Sequence, residues 1–342
     1  MTIRAYNGFE SDATVLQAEG LTFSATPVVD STYRHRTTSG YGGNRSLKLA
    51  FAESVTIPTP TVATSDEVQL KILLNTSSAR VHIEFNPTAA TPNATVCYDN
   101  DGYVRIRRGN ATSGTLLATS ASVLPLGLWH TLKIRVTARD SGRIQVYANG
   151  NASALVDTGA SVDCKNTVTD DFTSIRIIGQ HLVSSNFAYI DDFVHATNGT
   201  IPDEALFCLM LRPTGDGATV ESTPSTGSSR YATVDEDPVS TSDYNTLSTA
   251  GHEDQLTMAN LPATPTSILA VRTLVHATGE GTITLIRGLV KSGSSVGYGT
   301  NQALSTGGTF TTIKDIFETD PATSSAWTPT AVNGMDAGYE AN

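Results

Sequence analysis

Apolar and polar positions alternate with a period of two along much of the chain ahead of residue 200. The pattern is clearest over residues 127–150. There Leu132, Ile134 and Val136 alternate with Lys133, Arg135 and Thr137, and Ile144, Val146 and Ala148 alternate with Gln145, Tyr147 and Asn149. Such alternation predicts strands with one buried and one wet face. Asp140-Ser141-Gly142 supplies the turn of a hairpin, and Asn149-Gly150 opens a second turn. Other strands are expected over residues 46–52, 67–75, 79–86, 94–98, 103–108, 115–120, 172–179 and 187–196. Turn clusters such as Asn100-Asp101-Gly102 and Asp157-Thr158-Gly159 separate them. Many short strands at steady spacing predict a sandwich or jelly roll.

The pattern changes near residue 200. The run from Thr197 to Asp203 reads as a linker, and residues 205–212 as a mostly apolar strand ending at Pro213. Residues 214–230 are dense in Gly, Ser and Thr and predict a long exposed loop. Residues 266–276 and 281–290 predict paired strands around Ala277-Thr278-Gly279-Glu280, and 309–317 a further strand. Thr328 followed by Pro329 predicts one helical turn, because Thr can cap and Pro suits the first helical position. The expected fold is therefore all-β, with two β-sandwich domains over residues 1–198 and 199–342, the second smaller than the first.

Composition agrees with strands. Hydrophobic residues make up 39% of the 342 and charged residues only 16%, with Ser and Thr filling much of the difference. No stretch is apolar for the roughly 18 residues of a membrane helix, and the first residues lack the apolar core of a signal peptide, so membrane insertion is not expected and synthesis in a cytoplasm is. Cys97, Cys164 and Cys208 are odd in number and far apart, with no Cys-x-x-Cys pair, and read as small buried hydrophobes. The six Asn-x-Ser/Thr sequons carry little weight in a chain so rich in Ser and Thr. A net charge of −11 argues against binding nucleic acid. The basic cluster Arg105-Ile106-Arg107-Arg108 alternates like the wet face of a strand; its other reading is a patch for an acidic partner protein or an anionic sugar.

Two resemblances add to this. Trp129-His130, a strand, a short turn and a strand ending in Asn149-Gly150 resemble the concanavalin A-like (laminin G-like) jelly rolls. So do Asn7-Gly8-Phe9-Glu10-Ser11, the Gly43…Ser46-Leu47-Lys48-Leu49 strand, and Tyr189-Ile190-Asp191-Asp192-Phe193, in which Phe193 stands where the family has an aliphatic residue. Together these cover roughly residues 5–197 and imply a concanavalin A-like jelly roll for the first domain. The second half carries Leu211-Arg212-Pro213-Thr214-Gly215-Asp216-Gly217 and, near its end, Asp320-Pro321-Ala322-Thr323…Ala326-Trp327-Thr328. It is similar to the C-terminal half of tailed-phage virion structural proteins. That resemblance implies a non-enzymatic particle component, such as a head fibre, a capsid decoration or a tail-associated protein. Its partners would be other virion proteins (capsid, portal-vertex or tail) and further copies of itself, and its place the virion. The alternative is a carbohydrate-binding adhesion module that captures host surface glycans.

Catalytic readings fare poorly. The Glu-x-Asp-x-x-Glu arrangement of jelly-roll glycosidases is approached only by Glu10-Ser11-Asp12-Ala13-Thr14-Val15, whose third acid is absent, and Asp235-Glu236-Asp237 reads as a loop. Gly293-Ser294-Ser295-Val296-Gly297 matches Gly-x-Ser-x-Gly, but no helix is expected after it, as a nucleophile elbow requires. The histidines show no metal spacing; His82 and His130 fall in strands. Neither catalytic residues nor a cofactor is expected. Calcium is the one ion with candidates: Asp99 and Asp101 in an oxygen-rich turn around Asn100, and Asp191 with Asp192. Both are short of the six to eight oxygens (roughly) that Ca²⁺ takes, and both suit ordinary turns and strand ends. For a sugar platform, Tyr98, Tyr103 and Tyr147 are scattered on strands, where packing is the commoner role.

Overall fold

The computed structural model describes residues 2–7, 21–24, 28–30, 46–58, 66–86, 91–166, 170, 172–180, 186–197, 201–202, 206–236 and 239–342. The chain is all-β and forms two compact units that divide between Leu209 and Met210.

The first unit contains β1 (Thr2–Asn7), β2 (Thr22–Phe23), β3 (Val28–Asp30), β4 (Ser46–Leu49), β5 (Ser54–Pro58), β6 (Asp66–Leu74), β7 (Val81–Asn86), β8 (Ala94–Tyr98), β9 (Val104–Arg108), β10 (Thr115–Thr119), β11 (Trp129–Thr137), β12 (Arg143–Ala148), β13 (Val156–Asp157), β14 (Ser174–Gly179) and β15 (Ala188–Thr197). They build two antiparallel sheets in a jelly-roll sandwich. One runs β13-β12-β11-β6-β15-β4-β3, with β1 also on β15; the other runs β10-β9-β8-β7-β14-β5-β2. Val68, Leu70, Ile72, Leu132 and Ile134 from the first sheet and Ile83, Phe85, Val96, Ile106 and Ile177 from the second are fully buried between them.

The hairpin expected over residues 127–150 is β11 and β12, in register from Leu132↔Ala148 to Thr137↔Arg143. Asn149 and Gly150 both have positive φ (54° and 77°), and the Asn151 N–H donates to the Ala148 carbonyl at 3.1 Å. Positive φ at both central residues of such an i→i+3 turn is what Asn-Gly favours. The expected strands on either side are also present, with ends shifted by no more than three residues. The Asn7–Ser11 motif lies outside the described residues beyond Asn7, and the Glu10/Asp12 pair lies outside them altogether.

The second unit contains β16 (Pro213–Val220), β17 (Thr223–Pro224), β18 (Asn245–Thr246), β19 (Glu253–Met258), β20 (Val271–Ala277), β21 (Leu285–Ser292), β22 (Ser295–Tyr298), β23 (Gln302–Ala303), β24 (Thr311–Phe317), the short helix α1 (Pro329–Asn333) and β25 (Asp336–Ala341). A six-stranded sheet, β16-β19-β25-β21-β22 with β23 also on β21, is accompanied by the pairs β20-β24 and β17-β18. Its core gathers Val290, Trp327, Val332, Met335 and Ala337, with Leu211, Met258, Leu261, Ile268, Val271, Phe317 and Ala331 packed around them.

Three expectations are corrected here. Residues 206–212 form no ladder, so the strand expected over 205–212 is absent from its described part. The predicted loop over 214–230 instead begins as β16, whose Gly- and Thr-rich run pairs with β19 through two register shifts. Finally, β20 pairs with β24, and β21 with β25, β22 and β23, so the two strands around residues 277–280 are not a hairpin. Short apolar runs mark strands but not their partners, and here partners far apart in sequence win.

Candidate functional site

A two-sheet sandwich offers two outer faces, and in the first unit they differ. On the eight-stranded sheet the outward residues are Glu67, Gln69 and Lys71 of β6 and Lys133 of β11, which alternation alone assigns to water. All four are buried. Ile201 and residues 206–208 lie against them. The Ile201 N–H donates to Glu67, and the Ile201 carbonyl accepts from Lys133 Nζ at 3.2 Å. The Leu206 N–H donates to Gln69 Oε1 at 2.9 Å, and the Phe207 ring centroid lies 3.4 Å from Lys71 Nζ. Asp192, at a bulge of β15 with φ 47°, pairs with Lys71 and accepts from the Cys208 N–H at 2.7 Å. Burial pushes the Lys71 ammonium down and the Asp192 carboxyl up, and the attraction between them opposes both shifts. The chain's own segment thus occupies this face.

The outer face of the seven-stranded sheet is built differently. Cross-strand register lines up one residue from every strand: Thr22, Thr56, Arg176, Glu84, Thr95, Arg107 and Leu116. A parallel row holds Ser54, Ile178, His82, Cys97, Arg105 and Thr119. Arg105 is held by two carboxylates, by Asp99 at 2.6 Å and by both oxygens of Asp101 at 2.6 and 3.0 Å. Hydrogen bonding to Arg105 holds the Asp101 carboxyl below its usual range. Arg108 pairs with Asp163.

The two arginines of the first row are less committed. Arg107 donates from one nitrogen to the Gly114 carbonyl at 3.0 Å. Arg176 stands 3.4 Å from the buried Glu84 carboxylate, and its side chain is 35% exposed. Each guanidinium has five N–H donors, so among the described residues both keep donors unspent. Burial raises the Glu84 carboxyl, with Arg176 opposing. The result is a polar row with a protected carboxyl at its centre and an incompletely satisfied guanidinium on either side. The Arg105–Arg107 alternation was legible in the sequence. Arg176 and Glu84 were not singled out, because nothing in the sequence states which strands are neighbours.

The other sequence candidates fall as follows. Asp99 and Asp101 face the Arg105 guanidinium, Asp192 faces Lys71, and Asp191 Oδ1 accepts from the Asp192 N–H at 2.8 Å. Among the described residues no three His, Cys, Asp or Glu side chains converge as a metal site. Tyr98 is core, its hydroxyl 3.2 Å from the Leu124 carbonyl. Tyr147 is buried beside Lys133 and Arg135, and Tyr103 lies beside Arg105. His130 Nε2 lies 2.7 Å from the Pro125 carbonyl. Ser295 begins the return strand of the tight β21–β22 hairpin, with no helix after it. The three cysteines are buried and form no disulfide, and burial pushes the Cys97 thiol up to about 12. Among the described residues no helix is long and apolar enough to cross a membrane.

No family model matches the chain, and no curated protein matches it. Among solved structures it is similar to a Bacillus subtilis protein of unknown function with a galectin-like fold, at 12% identity and a TM-score of 0.40, over 58% of this chain and 96% of that one. It is also similar to the CBM2 module of the evolved Dit of Lactobacillus casei BL23 phage J-1, at 9% identity and a TM-score of 0.39, over 58% and 97%. A third is the carbohydrate-binding module CBM66 from Bacillus subtilis, at 11% identity and a TM-score of 0.35, over 52% and 96%. None of these carries a functional conclusion to this chain.

Proposed function

We propose that the chain is a non-enzymatic recognition component of a tailed-phage particle, and that its first unit binds an acidic saccharide of the host surface on the outer face of the seven-stranded sheet. The observation that carries the binding reading is the row Thr56–Arg176–Glu84–Thr95–Arg107, with guanidinium donors to spare on both sides of Glu84. Guanidinium forks suit carboxylates on a sugar, and the half-buried Thr56 hydroxyl suits one of its alcohols. On the opposite outer face, Ile201 and residues 206–208 take up the polar side chains of the sheet. A glycan array rich in uronic and sialic acids tests it. The expected result is saturable, salt-sensitive binding that falls roughly tenfold or more in an Arg107→Ala/Arg176→Ala variant, the loss of charge-assisted hydrogen bonds. Binding that ignores both arginines, or none at all, sinks it.

The particle assignment rests on the C-terminal phrase. Its Asp320-Pro321 and Trp327-Thr328 fold as one structural piece: the Asp320 N–H bonds the Ser325 carbonyl at 2.8 Å, and Trp327 enters the core. A purely structural reading, assembly with virion proteins and further copies, has the same support. Quantified virion protein separates them from a host-cell role: the chain is expected in purified particles at a fixed copy number.

A further inference from the structure

One face of the six-stranded sheet in the second unit carries a chemically different arrangement. Register aligns Gln255 on β19, Gly338 on β25, Leu289 on β21 and Tyr298 on β22. Glu253, Glu340 and Arg287 form the row on one side; Thr257, Asp336, Lys291 and Val296 form the row on the other. Tyr298 belongs to β22 at the end of this strand order, yet its hydroxyl donates to Glu253 Oε2 on β19 at 2.8 Å. Three strand spacings, about 14 Å in all, separate those two strands. The Tyr298 and Glu253 side chains can meet only by lying across the sheet, over the position where Gly338 contributes no side chain.

The ring is held in that pose. The Arg287 guanidinium carbon lies 4.2 Å from the ring centroid, and Arg287 is itself fixed by Glu340 at 2.6 and 2.8 Å. Gln255 donates to Glu253 at 2.6 Å and accepts from Lys291 Nζ at 2.8 Å, while Lys291 stands 4.0 Å from Asp336. Tyr298 nevertheless remains 42% exposed. Desolvation, with Glu253 next, pushes its hydroxyl up to about 12, so it stays a donor at neutral pH. An aromatic ring already immobilised loses little entropy when a ligand stacks on it.

We propose that this face binds a neutral saccharide, with one sugar ring stacked on Tyr298 and its hydroxyls taken up by Glu253, Lys291 and Asp336, which the buried Gln255 helps to position by joining Glu253 to Lys291. A sugar ring presents an apolar C–H face and a rim of groups that both donate and accept, which is what the ring and its polar border complement. Three carboxylates (Glu253, Glu340, Asp336) against two cations (Arg287, Lys291) leave no positive field for a polyanion. The site is independent of the arginine row of the first unit.

Isothermal titration of the full chain with cellohexaose, maltohexaose, laminarihexaose and chitohexaose tests it. At least one is expected to bind, with affinity reduced roughly tenfold or more in Tyr298→Ala, retained in Tyr298→Trp and unchanged in Arg107→Ala/Arg176→Ala. Lys291→Met, at the rim, is expected to weaken the same hexaose without altering the fold, and serves if Tyr298→Ala melts early. Absence of binding to all four, or binding indifferent to Tyr298 and Lys291, overturns the proposal. Binding that disappears only with the two arginines also overturns it and assigns the sugar to the first unit.

Discussion

Lys71 and Asp192 show how far a single residue's role can depart from its place in a pattern. Lys71 sits at a polar position of an alternating strand and reads as solvated, yet it is buried against Asp192. Asp192 adopts a left-handed backbone that Asp and Asn tolerate better than most residues. Both charges are desolvated, so the pair contributes little net stability, but removing one member strands the other. Lys71→Met is expected to destabilise the first unit by roughly 3–5 kcal/mol in urea denaturation. Adding Asp192→Asn to it should recover much of the loss, because the stranded carboxylate is gone while the backbone preference is kept. A double variant as unstable as the two single losses added together would contradict this account. Arg176 and Glu84 teach the same lesson from the binding side. Each is one more polar residue in an alternating strand until register sets them beside each other.

At the scale of elements, the short-range signals were the readable ones. Asn149-Gly150 and the β11–β12 hairpin formed where their local chemistry dictates. The C-terminal turn did too: Thr328 accepts from the Ala331 N–H at 3.1 Å, with Pro329 at the first helical position. Thr328→Ala is expected to cost the second unit about 1 kcal/mol, the usual worth of such a cap, read as a lower thermal midpoint. An unchanged midpoint would mean that the burial of Trp327 and Val332 alone holds this turn. Elements whose identity depends on distant partners depart from the local pattern. The Gly- and Thr-rich start of the predicted loop becomes β16 because β19 offers it a ladder. The apolar run after residue 205 forms no strand, because its N–H groups at Leu206 and Cys208 are taken by side chains of β6 and β15.

For the whole molecule, Ile201 and residues 206–208 matter most. Periodicity places the end of the first domain at residue 198, yet Glu67, Gln69, Lys71 and Lys133 each contact residues beyond it, at Ile201, Leu206 or Phe207. A fragment ending at residue 209 is expected to melt cooperatively. One ending at 198 should melt well below it, since it exposes polar groups that the longer fragment pairs and uncovers the sheet face. Equal melting would show that the segment is a passive tether. By itself the sequence determined the all-β class, the first sandwich's strands, the Asn-Gly turn and the Thr-Pro cap, because period-two burial and backbone preference act within a few residues. Only the tertiary structure decided that Ile201 and residues 206–208 take up the polar face of β6 and β11, that Arg176 and Arg107 flank Glu84, and that Tyr298 lies across its sheet. Those outcomes depend on strand order and register, which join residues tens of positions apart.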